Sequence, residues 1–462
     1  MGTGCRDILN HGQQSRYPSP VDRAEVPIFI DRTQAKAEIS ATESRFPPAD
    51  ASSPSGTDAP KSKFLSVSAA ISNMKDTGKH YDLIVIGAGI LGTFHAYHAA
   101  ERGLKVALVE KNSSPRDATV RNFGQAVPSG FDQDWQRIGR RSLEIYQSIQ
   151  SRFDITARNN GSLYVASNDE EQTLLDELAV INKSNGYSSE RWSVEQCRAR
   201  YPRLCADYCR GGLFFPEEFS INPLRMIHRL HQFMAERGKV DLYYRTLVQE
   251  LDANADGTVT ARISGKRTLS ADKVIVCCGH EFQSLFPEIF AQSAMEIVKL
   301  QMLRLKPQLP GEILGNLLTG LTIRRYESFK ECPSYEQIIA AQPADSFSQK
   351  WGVHILFKQE ADGGIILGDS HEYMPAARAD EIGYDLREDV NRYFIDEGRK
   401  IMDLPSWEIE SSWNGFYCQT KESGGVFRHK PGKNIHVITG IGGKGVTGSP
   451  GFAEKNINAI FS

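Results

Sequence analysis

A mixed α/β (α+β) fold, a parallel sheet of nucleotide-binding type with an antiparallel sheet inserted into it, is predicted by three stretches of this 462-residue chain. From Tyr81 to Glu110, YDLIVIGAGILGTFHAYHAAERGLKVALVE, an apolar run leads into glycines, a helix-compatible segment and a second apolar run. From Ala271 to Gly279, ADKVIVCCG reads as a buried strand ending on glycine. From Ile297 to about Thr420 the strand-rich segments IVKLQMLRLKP, LTGLTIRRYESF, WGVHILFKQ and GGIILGDSHEY follow one another, which predicts the inserted sheet.

The first stretch carries the chemistry. Gly87 makes a tight turn, and Gly89 lets backbone approach a pyrophosphate. Gly92 lets the following helix pack on the strand, so that the helix N-terminus at Ile90 and Leu91 points free N–H groups at phosphates. Glu110, with Lys111 after it, ends the second strand where an acid accepts hydrogen bonds from an adenosine ribose. Strand, glycines, helix, strand and acid in register make this a Rossmann-like dinucleotide-binding unit.

The next elements follow in order. A loop, Ser114 to Gly130, contains ATVRNFGQAVPSG; helices are predicted at about Asp134–Phe153 and Asp169–Lys183, with a strand at Gly161–Val165 between them. Asn222-Pro223 opens another helix that runs toward Gly238, a cap followed by proline in the first turn. Short strands around Asp241–Tyr244 and Leu247–Leu251 lead into a hairpin with turns at Asp256-Gly257 and Gly265-Lys266. The final segment, NIHVITGIGGKGVTGSPGFAEKNINAIF, again runs from a strand through a glycine-rich loop to a helix, the geometry of a second anion or dipole site.

Bulk properties exclude several classes. A net charge of −3 and pI near 6.4 give no support for nucleic-acid binding. Eight cysteines without a C-x-x-C pair imply reduced thiols rather than a disulfide scaffold or a metal site. No run reaches the roughly 20 apolar residues of a membrane span. Residues 1–80 are rich in Ser, Pro and Ala without apolar periodicity and are expected to be disordered; they lack a signal-peptide core, and a cytoplasmic protein is expected. The expected division is a nucleotide domain in three parts, 81–150, 210–284 and 430–462, and a substrate domain in two, 151–209 and 285–429.

ADKVIVCCGHEF is similar to the second nucleotide-facing strand of two-dinucleotide-fold flavoproteins, in which backbone at Cys278 and Gly279 approaches FAD and Val248 clamps the adenine. Residues 81 to 462 as a whole resemble the D-amino-acid oxidase superfamily, the group with glycine oxidase and monomeric sarcosine oxidase; LFKQEADGGIILGDSHEY and WNGFY carry the likeness. Within it, VRNFGQAVPSG, RRYESF, LGDSHEY and GIGGKGVTGSPGFAE are most similar to FAD-dependent oxidoreductases associated with phosphonate catabolism. The resemblance implies FAD laid along the backbone of Asn122, Phe123, Gly124 and Gln125, and met by the loop Gly442, Gly443, Gly445, Val446 and Thr447.

The departures from that family narrow the substrate. The arginine that clamps a carboxylate after Trp-x-Gly is replaced by Tyr417, and the arginine of the last glycine-rich loop by Gly443, with Lys444 beside it. Tyrosine lacks the charged bidentate fork of arginine, so an ordinary α-amino acid is disfavoured. Arg324 and Arg325, expected on a strand where only one faces the site, become the cationic candidates together with Lys444, which is expected to hold the substrate anion or stabilise anionic reduced flavin, and His371 is a donor to an anion or a group that tunes the amine. The cysteine that sarcosine oxidases join to flavin aligns near Gly415, with Cys418 offset, so FAD is expected to be noncovalent; their oxygen-activating lysine falls near Ile366. The resemblance thus implies oxidation of a small primary or N-methylated aminophosphonate to an aldehyde, with O2 or another acceptor taking the electrons. A D-amino-acid or N-methyl-amino-acid oxidase is the alternative, and a catalytically inactive flavoprotein acting as a binding protein is a third reading.

Overall fold

The computed structural model describes residues 79–422 and 424–462; the disorder expected for the first 80 residues falls, but for its last two, outside the described residues. In the first of two eight-stranded sheets, the strands Phe427–Gly432, Ile435–Thr439, Arg267–Val276, His80–Ile86, Val106–Val109 and Val240–Tyr243 lie side by side in that order. Neighbours run parallel except the first pair. His80–Ile86 is central, with Leu83–Ile86 paired to Val106–Val109 on one side and Lys273–Val276 on the other.

Both faces of this strand are covered, which is why it reads as a continuous apolar run. Leu83 and Val85 point into a core shared with Phe94, Tyr146, Met226 and Phe452 of the helices Ile90–Glu101, Gln133–Gln150, Pro223–Glu236 and Gly445–Ile460. Ile84 and Ile86 point the opposite way, onto Val248, Val259 and Ala261 of the hairpin and onto Phe282 and Phe290. The helix Pro223–Glu236 begins as its sequence dictates, the Asn222 side chain accepting from Arg225 N at 2.9 Å with Pro223 in the first turn.

The second sheet has the order Ile409–Thr420, Met295–Leu305, Ile365–Pro375, Leu356–Gln359, Asn316–Leu318, Ser162–Ala166, Gly211–Phe215, Glu190–Trp192. It is not purely antiparallel: Asn316–Leu318 runs parallel to Ser162–Ala166. Gly211–Phe215 belongs to this sheet, although it lies beyond the boundary expected at residue 209.

Two expected strands are corrected. LTGLTIRRYESF is strand only at its approach, Asn316–Leu318, and then turns into the short helix Gly320–Ile323. There the N–H groups of Thr322, Ile323 and Arg324 bond back to Thr319 and Gly320, and Thr319 Oγ1 ties the turn to Ile355 O at 2.7 Å. WGVHILFKQ is strand only over Leu356–Gln359, because Gly352 turns the chain at φ +53°. Among the described residues no helix is long and apolar enough to cross a membrane, and the cysteines are free thiols.

Candidate functional site

The carboxyl ends of the parallel strands at Ile86, Val109, Cys277 and Thr439 open into one cavity of about 500 Å³, walled on its far side by the second sheet. That is where an open α/β sheet places its ligand. Gly87 turns at φ +95°, and a Cβ there would sit 2.2 Å from Cys277 O. A Cβ on Gly92 would lie 1.9 Å from Gly87 O, so strand, turn and helix meet at backbone contact. Gly89 is different: a Cβ would meet only Thr119 Oγ1, at 3.1 Å, and otherwise face the cavity.

Polar groups hold this turn in place. Ile90 N donates to Thr119 Oγ1 at 2.9 Å. Glu110, buried at the strand end, accepts from Ala88 N at 3.2 Å and from Asn112 N at 2.9 Å, so its carboxylate braces the turn as well as lining the cavity. Lys111 is ion-paired with Glu281. The N-termini of Ile90–Glu101 and Gly445–Ile460, neither capped by the side chain of its own N-cap residue, both meet the cavity, giving it two positive dipole ends.

The middle of the cavity is built on backbone. Asn122 directs its side chain into its own loop, donating to Ala118 O and Thr119 O at 2.9 and 2.8 Å and accepting from Gly124 N at 2.8 Å. Gly124, at φ +80°, lies so close to Lys358 that a Cβ would sit 2.4 Å from Nζ. Lys358, buried there, donates to Ile221 O at 2.7 Å and pairs with Glu360 at 2.8 Å; burial drives its pKa down against the pull of that carboxylate. Gly279 O accepts from Thr439 Oγ1 at 2.9 Å and from the Cys418 thiol at 3.0 Å.

Beyond Phe123 and Gln125 the second sheet supplies the chemistry-bearing end. Arg325 lines the cavity and donates to the Tyr373 hydroxyl at 2.7 Å. The His371 ring stacks on Tyr373 and meets Tyr417 edge-on, with centroids 6.2 and 6.4 Å away. His354 Nε2 lies 2.5 Å from Asp369 Oδ1, and His371 Nε2 lies 4.0 Å from Asp369 Oδ2. Burial opposes ionisation of Asp369, but His354, His371 and Arg325 outweigh it and hold the carboxyl at about 2. Burial, followed by Arg325, lowers His371 to about 3 despite Asp369, so its imidazole is neutral. Burial also pushes the Tyr417 hydroxyl well up, with Tyr373 and Asp369 adding to it.

The expected residues Gly87, Gly89, Ile90, Leu91, Gly92, Glu110 and Lys111 all border this cavity, as do Asn122 to Gln125, Val248, Cys278 and Gly279. So do Gly442, Gly443, Lys444, Gly445, Val446 and Thr447, and the side chains of Arg325, His371 and Tyr417. Lys444 is committed to Glu327, 2.6 Å away. Arg324 is the exception. At the end of its short helix it turns outward, with Nε and Nη2 each 2.8 Å from Glu171 and Glu170, and is corrected to a structural residue. Sequence reasoning passed over Asp369, His354 and Thr119; Tyr326, beside the two arginines in the candidate stretch, accepts from Gln125 Nε2 at 2.7 Å through its hydroxyl. Asp369 and His371 sit two residues apart on the strand Ile365–Pro375 and His354 joins them from the preceding segment; the ligating atoms of the three all lie within 4.8 Å of one another, a metal-capable group that no single motif announces.

A parallel sheet whose strand ends and two helix N-termini converge on one cavity, roofed by a second sheet, defines a dinucleotide-binding protein. The chain belongs to the FAD dependent oxidoreductase family (DAO), whose model matches residues 82–455, and it is an FAD-dependent enzyme of that class. It is 20% identical over 387 residues to a glycerol 3-phosphate dehydrogenase of Caloramator mitchellensis, covering 82% of this chain and 74% of that one. It is 23% identical to monomeric sarcosine oxidase of Bacillus sp. (strain B-0618), covering 43% of this chain and 51% of that one. It is 30% identical to the bifunctional protein MnmC of tRNA 5-methylaminomethyl-2-thiouridine biosynthesis from Marinobacter nauticus (strain ATCC 700491 / DSM 11845 / VT8), covering 49% of this chain and 34% of that one. The match thus spans about a third to a half of the last two relatives. The fold is shared with glycine oxidase from Geobacillus kaustophilus (TM-score 0.64, 15% identity, 82% and 94% of the two chains). It is shared too with L-proline dehydrogenase from P. horikoshii (TM-score 0.66, 18% identity, 83% and 93%).

Proposed function

We propose that this enzyme oxidises a small amine that carries an anionic group, with an aminophosphonate such as 2-aminoethylphosphonate or its N-methyl derivative as substrate and an aldehyde as the final product. FAD, when bound, supplies the hydride acceptor at N5. Gly87, Gly89 and Gly92 would pass its pyrophosphate across the N-terminus of Ile90–Glu101, Glu110 its ribose, and Val248 its adenine; the backbone of Phe123 to Gln125 and of Gly442 to Thr447 would border its ring.

The protein's own part is positioning and charge. The observation that carries the reading is Arg325: its guanidinium faces the cavity beside Tyr373 and His371, while Arg324 is turned away and Lys444 is paired. With Tyr417 where relatives of this fold carry a carboxylate clamp, the anion is to be met from the Arg325 side. A phosphonate, with three oxygens, takes the guanidinium together with the neighbouring hydroxyls. The likeness to monomeric sarcosine oxidase and N-methyl-L-tryptophan oxidase favours a second reading, oxidation of an N-methyl amino acid at this site.

Anaerobic mixing with matched pairs, 2-aminoethylphosphonate against β-alanine and its N-methyl derivative against N-methyl-β-alanine, with sarcosine as an added N-methyl α-amino acid, tests both. Bleaching of the flavin by the phosphonates at lower concentration supports the proposal. Bleaching by the amino acids alone replaces it with the second reading, and bleaching by no amine sinks both.

A further inference from the structure

We propose that Asp369 Oδ2 and His371 Nε2 form the cradle that holds the substrate's ammonium group, so that the enzyme reads a zwitterion from its two ends. The inference rests on the proposed amine substrate and names the group that recognises the nitrogen.

The tautomer of His371 is fixed by its other nitrogen. Nδ1 lies 3.0 Å from Gly352 O, and a carbonyl only accepts, so Nδ1 carries the proton. With Nδ1 as the donor, Nε2 is the ring nitrogen left to accept. Nε2 and the carboxylate Oδ2 are 4.0 Å apart, too far to bond each other. An ammonium nitrogen making bonds of about 2.8 Å to each acceptor spans such a gap with an angle near a right angle between them. Asp369 Oδ1 lies against His354, whose Nε2 is 2.5 Å away, which leaves Oδ2 as the oxygen on the His371 side. Both residues border the cavity and are otherwise buried, which strengthens a charged hydrogen bond made there.

The complementary charge is close by. A Cβ built on Gly352 would touch both Arg325 Nη1 and His371 Cβ at 3.1 Å, which puts the guanidinium on the same short stretch of wall as the cradle. A ligand spanning them has its cation and anion separated by a few bonds, as in small aminophosphonates and amino acids. An uncharged alcohol offers the carboxylate nothing of comparable strength.

The test is binding to the flavin-loaded full chain, followed by the flavin absorbance shift. Pairs that differ only by the amine are used: 2-aminoethylphosphonate with ethylphosphonate, and glycine with acetate. In the wild type the amine-bearing member is expected to bind at least tenfold more tightly. Asp369→Asn should erase that preference by weakening the amine-bearing member, with the amine-free anion bound no more weakly than in the wild type, and His371→Gln should weaken the preference in the same direction. Flavin content and the unperturbed spectrum of each variant report folding. If the phosphonate pair gives no shift and the glycine pair does, the aminophosphonate substrate fails and the cradle stands. The proposal is overturned if the wild type binds amine-free ligands as tightly, if Asp369→Asn weakens both members of a pair equally, or if purified enzyme holds stoichiometric metal that both substitutions remove.

Discussion

Arg325 Nη2 donates to the Tyr373 hydroxyl at 2.7 Å, and this contact anchors a guanidinium at the cavity wall while its neighbour Arg324 faces two carboxylates on the other side of the chain. The two arginines therefore separate function from stability. Replacing Arg325 with Met should slow flavin reduction by substrate roughly 10- to 100-fold, the loss of one charged hydrogen bond of about 1.5–3 kcal/mol. Flavin content should not change. Stopped-flow reduction across a substrate series is the measurement, and an unaltered rate and half-saturation would remove the main support for anion recognition by Arg325.

Arg324→Met should do the converse. It leaves the buried Glu171 without its cation, and breaking such a pair costs about 3 kcal/mol. Thermal unfolding should come several degrees earlier, with flavin reduction by substrate close to that of the wild type. A stable variant with impaired reduction would reverse the assignment.

Gly89 and Gly92 should fail in different ways. Gly92→Ala places its Cβ against Gly87 O and is expected to yield little folded protein. Gly89→Leu meets only Thr119 and the cavity, so the protein should fold yet retain little FAD. Circular dichroism beside flavin absorbance distinguishes the two.

FAD should leave the denatured chain intact. Cys418 borders the cavity, but burial drives its thiol up to about 11 against the opposing contact with the Thr439 hydroxyl, and the thiolate needed to attack a ring is scarce at neutral pH. Acid precipitation should give a colourless pellet and a yellow supernatant. A yellow pellet would show a covalent bond.

Glu218 predicts a pH dependence. Burial raises its carboxyl from 4.5 to about 7, opposed by hydrogen bonds from Ser129 and other donors including Tyr187. Because the folded value lies above the unfolded one, the protonated acid's stability is complete below about pH 4.5 and is lost as pH rises toward 7. A shift of that size is on the order of 3 kcal/mol. Glu218→Gln should flatten this part of the stability profile in denaturant melts. A profile identical to the wild type's would assign the slope to other groups.

The parallel sheet and its glycine turn were legible because each requirement there is local: an apolar run buried on both faces, a turn at Gly87, and a helix pressed on backbone at Gly92. The hairpin turns at Asp256-Gly257 and Gly265-Lys266 were legible for the same reason. The stretch around Arg324 was not. Its apolar and β-branched residues suit a strand, and it coils instead because Thr319 bonds to Ile355, a partner far along the chain. Asp369 was hidden similarly: it lay inside a quoted segment, and nothing in its neighbours foretold that His354 would meet it across a turn.

The order of strands in the parallel sheet also sets a timetable for assembly. His80–Ile86 can pair early with Val106–Val109, but its other edge stays open until Arg267–Val276 has been made, and that strand in turn waits for Ile435–Thr439. A growing chain halted between those two events presents Arg267–Val276 as an open edge, with Val274, Ile275 and Val276 unpaired on one side. Such a species invites pairing with a second copy, so the ribosome-bound protein should be a client for chaperones until its last strand emerges.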